Sequence, residues 1–422
     1  MVLDKKKSKL IAATLLLTLV SLAGCGSASE PNELGYVQFI GVDEGKDNLL
    51  EVTFLIAIPK NLAGEGGGKG EGAFVTTISA PTIFAALNMV NTYVGRRLSF
   101  IHVKGVIFSD KLARKGKLTE LLPSLLQFRE TRGTAFIAIT ENKLRELMKK
   151  FTPFLEANPS RYMELLTRNY LYTGFIANSK LQNIYTEMKV DGLDSVITLI
   201  DISPEKLPEG EEVGHYKSEG SYQSGQIPKK GGVEIQAIGG AILNEGIMVG
   251  TLNGDETIIF NMVRGQFRSA FFSLPDPQKK EAIMNLEVFV ARPPKIKVSL
   301  TEEGPLINLR IALEGNVLGG GTTIDYALSQ RRVILEQAFE KKIKRLVEQV
   351  AEKSLNYGSD FLGFGLKARH QVRTLQEWND LDWGSLYPQS QVNVEVDFKI
   401  RRTSTLFKHA PIIKKGVQEG ES

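Results

Sequence analysis

The sequence predicts an α/β protein (α+β in organisation) of two or three mixed domains, in which β-sheets are flanked by helices. In the N-terminal half, short segments rich in β-branched residues alternate with segments of helical periodicity. The C-terminal half is rich in predicted strands and contains one long amphipathic helix. The chain has 422 residues, too many for a single small core, and its 42% of hydrophobic residues suffices for globular domains.

The first half carries the alternating pattern of strands and helices. Residues 36–42 and 49–58 flank turn residues at 43–48, which is a hairpin pattern. Pro81 is predicted to open a helix, because the N–H that proline lacks has no partner in the first helical turn. The other predicted elements are strands at 75–78, 103–108 and 135–139, a helix at 118–128 that contains Pro123, and a mostly helical section at about 141–200, which could form a separate subdomain.

The second half begins after a segment rich in proline, glycine and polar residues at 202–232. This composition predicts a linker, although part of the segment could instead be an ordered excursion of a domain. The strands predicted beyond it are residues 235–242, 258–262, 267–272, 284–291, 296–300, 307–313 and 392–400.

The clearest helix is predicted at 325–356, just before the last strand. Its apolar residues recur at steps of three and four, which places them on one stripe: Leu335, Phe339, Ile343, Leu346 and Val350. Glu340 and Lys344 are predicted to form an ion pair on the exposed side. Gly358 is predicted to end the helix in a left-handed conformation.

The first residues have the composition of a secretory signal peptide. Lysines within residues 5–9 precede an apolar run at 10–22, which is shorter than the ~20 residues needed to span a bilayer. The run ends in Leu22-Ala23-Gly24-Cys25, and Cys25 is the only cysteine of the chain. This ending resembles a bacterial lipobox, which implies cleavage before Cys25 and a diacylglyceryl group on its thiol. The alternative is an ordinary secreted protein with an incidental cysteine.

The net charge bears on one class of function, nucleic-acid binding. The formal net charge is +4, but the signal peptide contributes four lysines and one aspartate. The mature chain therefore keeps 48 basic and 47 acidic side chains. This balance gives no argument for nucleic-acid binding.

Motifs for catalysis or for binding cofactors and metals are not found in the sequence. The glycine-rich loop at 64–72 contains Gly68-Lys69-Gly70, but a phosphate-binding loop needs Ser or Thr after the lysine. There is no G-x-S-x-G turn. The four histidines are too far apart for a zinc motif, and His102 is predicted to be a structural strand residue. The others are His215, His370 and His409. We therefore predict no catalytic residue, no metal and no cofactor.

Asp360 is the carboxylate with the most distinctive surroundings, since apolar residues and glycines follow it directly. One interpretation is a buried acid at a functional site. The other, which we favour, is a capping acid that binds backbone N–H groups just after the long helix.

Several segments together resemble the Ger(x)C family, the lipoprotein C subunits of spore germinant receptors. They are residues 33–43 (ELGYVQFIGVD), 238–252 (IGGAILNEGIMVGTL), 356–360 (NYGSD) and 361–365 (FLGFG), with Trp378 beyond them. One departure is that 26–29 (GSAS) stands where family members commonly carry Trp-Asp and a charged run.

The resemblance implies a non-enzymatic subunit of several mixed α/β domains on the outer face of the inner spore membrane of a Gram-positive endospore former. Its implied partners are two integral membrane subunits, A and B, and the only site residue carried over is Cys25, for lipid attachment. The expected organisation is a signal peptide at 1–24, an N-terminal domain at 25–201, a linker at 202–232, a C-terminal domain at 233–406 and a disordered tail at 407–422.

Two other classes of function are the alternatives. A solute-binding lipoprotein that feeds a transporter would have two similar lobes around a ligand cleft. An envelope hydrolase would need a cleft in which histidine and carboxylate side chains converge.

Overall fold

The computed structural model describes residues 33–58, 73–151, 159–203, 218–320 and 324–403, together with residues 7, 9 and 11–14. Cys25, the glycine-rich loop at 64–72, His215 and the tail at 407–422 lie outside the described residues. Within the described ranges, no helix combines the length and the apolar composition that crossing a membrane requires.

The secondary structure comprises thirteen strands and eleven α-helices in the described residues. The strands are β1 (Leu34–Glu44), β2 (Leu50–Ala57), β3 (Ala73–Ala80), β4 (Arg97–Ser99), β5 (Gly105–Ser109), β6 (Phe136–Thr140), β7 (Val196–Ile202), β8 (Ile235–Asn244), β9 (Ile247–Leu252), β10 (Ser269–Pro275), β11 (Ile283–Thr301), β12 (Gly304–Gly320) and β13 (Gln391–Arg402). The helices are α1 (Ile83–Val90), α2 (Asp110–Arg114), α3 (Leu118–Gln127), α4 (Leu144–Lys149), α5 (Pro159–Leu166), α6 (Leu181–Glu187), α7 (Gly254–Val263), α8 (Ser329–Asn356), α9 (Gly365–Ala368), α10 (Leu375–Leu381) and α11 (Trp383–Leu386).

The first sheet has nine strands in the order β3-β2-β1-β5-β6-β7-β8-β9, with β4 paired to β1. Strands β1, β5, β6 and β7 are parallel, whereas β2, β3, β8 and β9 join by antiparallel pairing. The second sheet has the order β10-β11-β12-β13, and its β12 and β13 are parallel. This confirms the predicted mixed α/β fold with sheets flanked by helices.

Helices cover both faces of the first sheet. Helices α1, α3 and α6 bury apolar residues against one face, and α4 buries Leu144, Leu147 and Met148 against the other. The helices of the section predicted as mostly helical at 141–200 therefore cover the sheet and form no separate subdomain, and the end of that section is wrong, because Val196–Ile202 is strand β7 of the sheet. Helix α1 starts at Ile83 with Thr82 as its N-cap, so Pro81 precedes the cap and does not open the helix.

The first sheet continues beyond the predicted linker, since β8 and β9 complete it. Residues 218–232 of that segment are held by hydrogen bonds to strand β8 and to the first residue of helix α7. Ser224 Oγ donates to the Gln236 carbonyl at 2.8 Å, and Gly254 N donates to the Tyr222 carbonyl at 3.1 Å. For these residues the structure favours the ordered excursion over a free linker.

Helix α7 corrects one prediction, because residues 258–262 were expected to be a strand. Asn253 Oδ1 accepts from Glu256 N at 2.9 Å, and Glu256 Oε2 accepts from Asn253 N at 2.8 Å. This capping box starts a helix. The helix lies between the two sheets and is buried on nearly all sides, so its apolar run has no amphipathic period from which to recognise it.

The second sheet packs on α8, which follows β12 and is the longest helix in the connection to the parallel strand β13. Four of the five predicted stripe residues are buried, but Leu346 is only partly buried and Val347 is buried beside it. Gly358 has φ +60°, which confirms the left-handed end. Strand β11 is continuous, whereas two strands were predicted, because irregular register between Val290 and Lys295 accommodates two prolines.

The predicted pair of Glu340 and Lys344 is replaced by other contacts. Glu340 Oε1 accepts from Phe398 N at 2.9 Å, so this side chain ties α8 to β13. Lys344 Nζ lies 3.8 Å from Glu348 instead.

Candidate functional site

Three segments meet where the first sheet contacts the C-terminal part of the chain: residues 191–195 before β7, the turn between β8 and β9, and residues 357–365 after α8. Asp194 N donates to the Asp360 carbonyl at 3.1 Å, and Asp360 N donates to Asp194 Oδ2 at 3.0 Å. Glu245 N donates to the other oxygen, Asp194 Oδ1, at 2.9 Å. One carboxylate thus holds two remote backbone segments, and we call this region the joint.

Hydroxyl and amide side chains extend the joint. Ser359 Oγ donates to the Leu243 carbonyl at 2.6 Å, and Asn244 Nδ2 donates to the Tyr357 carbonyl at 3.2 Å. Ser354 and Ser359 are completely buried. Buried polar groups without partners are costly, so these bonds fix the two parts in one arrangement.

Asp360 is 3% exposed and organises the turn that follows α8. Its Oδ1 accepts from Gly363 N and Phe364 N, both at 2.9 Å. Its Oδ2 accepts from Gly365 N at 2.5 Å and from Trp383 Nε1 at 3.0 Å. These bonds confirm the predicted capping role. Burial raises the pKa of Asp360 to about 6, and the N–H donors limit the rise.

Two glycines allow the close approach of the segments at the joint. A Cβ on Gly365 would lie 2.4 Å from the Gly192 carbonyl oxygen. A Cβ on Gly192 would lie 2.8 Å from Trp378, and Gly192 has φ +79°. Trp378 stacks on Trp383, with 5.9 Å between ring centroids. A side chain at either glycine would push the two parts of the molecule apart.

A polar cleft of about 440 Å³ opens beside the joint. Its lining includes the carboxylates of Asp191, Asp194, Glu245, Asp360 and Asp382. The described residues that line it include no histidine, cysteine or lysine. In the described ranges no group of three or more His, Cys, Asp and Glu side chains is placed to hold a metal ion. The arrangement is suited to fixing two parts of a scaffold.

The histidines lie elsewhere. His102 lies in an exposed turn, not in the strand predicted for it, and its ring meets Tyr36 edge-on at 4.7 Å between centroids. Burial, with Arg132 and then Lys104, lowers the pKa of His102. His370 lies in an exposed 3-10 turn, and His409, like His215, lies outside the described residues.

Sequence reasoning found Asp360 but missed its partner Asp194 and the N–H donor Trp383. Nothing local marks Asp194, because its partners lie 51 and 166 residues away in the chain. Trp378 was noted only for the family likeness.

The geometry defines a two-sheet α/β scaffold with a polar joint. Comparison with known families gives the class of protein. The profile described as Spore germination protein N-terminal domain matches residues 27–202. The profile described as Spore germination B3/GerAC like, C-terminal, matches residues 238–404. Together they span most of the chain, and the protein belongs to this family of spore germination proteins.

Individual relatives are similar along almost their whole length. Spore germination protein KC of Bacillus subtilis (strain 168) is 24% identical over 93% of this chain and 95% of its own. Spore germination protein B3 of the same organism is 22% identical over 94% and 98%. The crystal structure of the GerBC protein is similar in fold, with a TM-score of 0.50, 18% identity and coverage of 86% of this chain and 96% of that one.

Proposed function

We propose that this protein is a lipid-anchored, non-enzymatic subunit of a spore germinant receptor. It acts with two integral membrane subunits, A and B, in germination triggered by nutrients. The observation that carries the proposal is the match of both spore-germination profiles, in order, along the chain. The joint supports a scaffold role, because its polar groups are engaged in holding the two parts together.

The anchor in this proposal is Cys25, on the outer face of the inner spore membrane. Two acyl chains hold a protein stably at a bilayer, whereas one gives only marginal binding. Confinement to the membrane raises the effective concentration of the domain beside its partners, so weak contacts suffice for assembly.

The geometry disfavours a solute-binding lipoprotein. That class needs two similar lobes, but the two sheets of the described residues have nine and four strands and different topologies. The cleft at the joint is also bridged by the hydrogen bonds between Asp194 and Asp360.

Deletion of the gene, in a strain that lacks paralogues, tests the receptor role. Spores are expected to lose their response to particular nutrients while germination by non-nutrient triggers persists. Unchanged germination with every nutrient tested contradicts the proposal. Co-purification of two multi-span membrane proteins with the tagged full-length chain tests the partners.

Cys25→Ala tests the anchor, with Ser27→Ala as a control that leaves the lipobox intact. The alanine variant is expected to stay unprocessed, to leave the membrane fraction and to weaken germination. Mass spectrometry of the wild-type N-terminus should find the acylated cysteine. A variant that remains fully membrane-bound would show that the uncleaved signal segment or partner contacts hold the protein without lipid.

A further inference from the structure

A second cleft, of about 390 Å³, lies at the amino ends of β5 and β6. Four basic side chains line it, and we call them the basic edge: Lys104, Arg132, Arg168 and Lys180. Among the described residues none of the four has a carboxylate partner. The acid in the lining, Glu164, lies 3.2 Å from Arg161.

The topology of the sheet brings these residues together. Lys104 directly precedes β5 and Arg132 lies just before β6, and the amino ends of parallel strands share one edge of a sheet. The Lys104 carbonyl accepts from Phe136 N at 2.8 Å, and Phe136 also forms a bridge with Lys180. Arg168 follows α5, whose Met163 is buried against the same sheet.

The opposite edge of the sheet also carries basic residues, and three of them are paired with carboxylates. Lys115 Nζ lies 2.5 Å from Glu44, and Arg114 Nε lies 3.5 Å from Asp110. Lys117 Nζ lies 3.2 Å from Glu120. Lys111 at that edge has no ion pair among the described residues, so what distinguishes the amino-end edge is that four unpaired basic side chains line one cleft there. The lowered pKa of His102, to which Arg132 and Lys104 contribute, agrees with a positive potential there.

The first strand, β1, starts at this same edge. Strand β1 is parallel to β5, and Lys104 N donates to the Gln38 carbonyl at 2.9 Å. Leu34 lies four residues before Gln38, so β1 extends about 13 Å past the level of Lys104. The residues between Cys25 and Leu34 reach at most about 30 Å when fully extended. A lipid on Cys25 would thus keep this edge close to the bilayer.

Apolar surface accompanies the charge. Ile101, next to His102, is 44% exposed, and Tyr172, next to the cleft residue Leu171, is 65% exposed. Tyrosine is enriched where proteins meet the interface of a bilayer, since its ring is amphipathic.

We infer that the basic edge docks onto anionic phospholipid headgroups of the membrane that holds the anchor. This orients the first sheet with the amino ends of its parallel strands toward the bilayer. The phosphate oxygens would accept hydrogen bonds from the two guanidinium groups and the two ammonium groups. The inference rests on the proposed anchor at Cys25, and it goes further because it assigns a face of the folded domain to the membrane.

The test uses the full-length lipidated protein in vesicles of neutral phosphatidylcholine, with or without 30% phosphatidylglycerol. Amine labelling of Lys104 and Lys180 is read by mass spectrometry, with Lys111 at the opposite edge as internal control. Anionic lipid is expected to lower labelling of Lys104 and Lys180 several-fold, and high salt to restore it. Labelling of Lys111 should not change.

Paired variants separate the basic edge from charge in general. Arg132→Gln with Arg168→Gln should reduce the lipid-dependent protection by about fivefold for each side chain removed. Arg114→Gln with Lys115→Gln removes the same charge from the opposite edge and should leave the protection unchanged. Thermal unfolding like that of the wild type verifies that both variants fold.

Three outcomes would overturn the inference. Equal labelling in neutral and anionic vesicles excludes docking to anionic lipid. Protection by millimolar inorganic phosphate in neutral vesicles assigns the cleft to a soluble anion instead. Protection that survives the Arg132 and Arg168 substitutions excludes these side chains. Failure of the anchor is distinguishable, because an unlipidated protein does not float with neutral vesicles at all.

Discussion

Asp194 and Asp360 hold each other by two hydrogen bonds across 166 residues of sequence. Asp360 N donates to Asp194 Oδ2 at 3.0 Å, and Asp194 N donates to the Asp360 carbonyl at 3.1 Å. The charge of Asp194 adds to burial in raising the pKa of Asp360. The start of β7 is thereby tied to the turn after α8 through a buried side chain, Asp360, and a partly buried one, Asp194, and hydrogen bonds of buried groups are costly to lose.

Asp360→Asn is expected to destabilise the protein by about 2–4 kcal/mol. The amide offers one acceptor oxygen, so its NH2 group would face donors such as Gly365 N–H or Trp383 Nε1–H. Urea unfolding monitored by tryptophan fluorescence measures the change. Asp191→Asn, at an exposed position of the same cleft, is the control and should stay within about 0.5 kcal/mol. Equal effects of the two substitutions would contradict the central role of Asp360.

Gly365→Ala is expected to cost about 1–3 kcal/mol, because the added methyl group meets the Gly192 carbonyl and the Trp383 ring. Gly384→Ala is the matched control. Gly384 also lines the cleft and lies in helix α11, but the nearest atom to its added Cβ is 3.8 Å away. The control should be neutral or slightly stabilising. Thermal unfolding compares the variants, and a neutral Gly365→Ala would show that the joint can open at little cost.

Asp201 gives the expected dependence of stability on pH. It is 7% exposed, and burial raises its pKa to about 6, although Thr140 Oγ1 and Glu141 N donate to its Oδ1 at 2.8 and 3.0 Å. The folded state therefore binds this proton more tightly than the unfolded state, whose carboxyl titrates near 4. The stabilising contribution of Asp201 to the free energy of unfolding is fully present below about pH 4. It is lost as the pH rises through about 6.

Asp201→Asn tests that sign, since the amide keeps the acceptor for Thr140 and Glu141 and carries no charge. The variant should be more stable than wild type by ~2 kcal/mol at pH 7.5 and similar to it at pH 4. Chemical denaturation at the two pH values measures the difference. A variant that is less stable at pH 7.5 would mean that the charged form is favoured in the fold.

Arg132→Gln should raise the pKa of His102. The guanidinium group opposes the protonated imidazole, so its removal eases protonation, although burial continues to lower the pKa. Nuclear magnetic resonance titration of the histidine C–H signals measures the shift. Arg129→Gln, an exposed substitution in the same loop that is not among the causes of the His102 shift, is the control. An unchanged pKa of His102 in the Arg132 variant would show that the two side chains are not electrostatically coupled.

The sequence predicted much of the fold because most elements carry their own local signal. The alternation in β12 and the stripe of α8 each report a single buried face. Helix α7 was mispredicted because it is buried on nearly all sides, so its sequence lacks the helical period of apolar and polar residues. The capping box formed by Asn253 and Glu256 was the local pattern that indicates a helix here.

The candidate sites were less predictable than the elements. Asp360 could be assigned a capping role, since its N–H donors lie within the next five residues. The basic edge could not be recognised, because its four residues come from separate segments and meet only through the pairing of β5 with β6. Whole-chain charge, which is nearly neutral after Cys25, hides such a local surplus.

The strand order of the first sheet also bears on how the chain folds as it is synthesised. Strand β7 pairs with β6 on one side and needs β8 on the other, and β8 lies beyond residues 203–234. Until that later segment emerges, the nascent N-terminal part carries an open edge of buried-type residues, which invites pairing with another chain. A fragment cut at residue 202 would keep that edge permanently, so aggregation is the expected fate of the first profile-matched region when it is made alone.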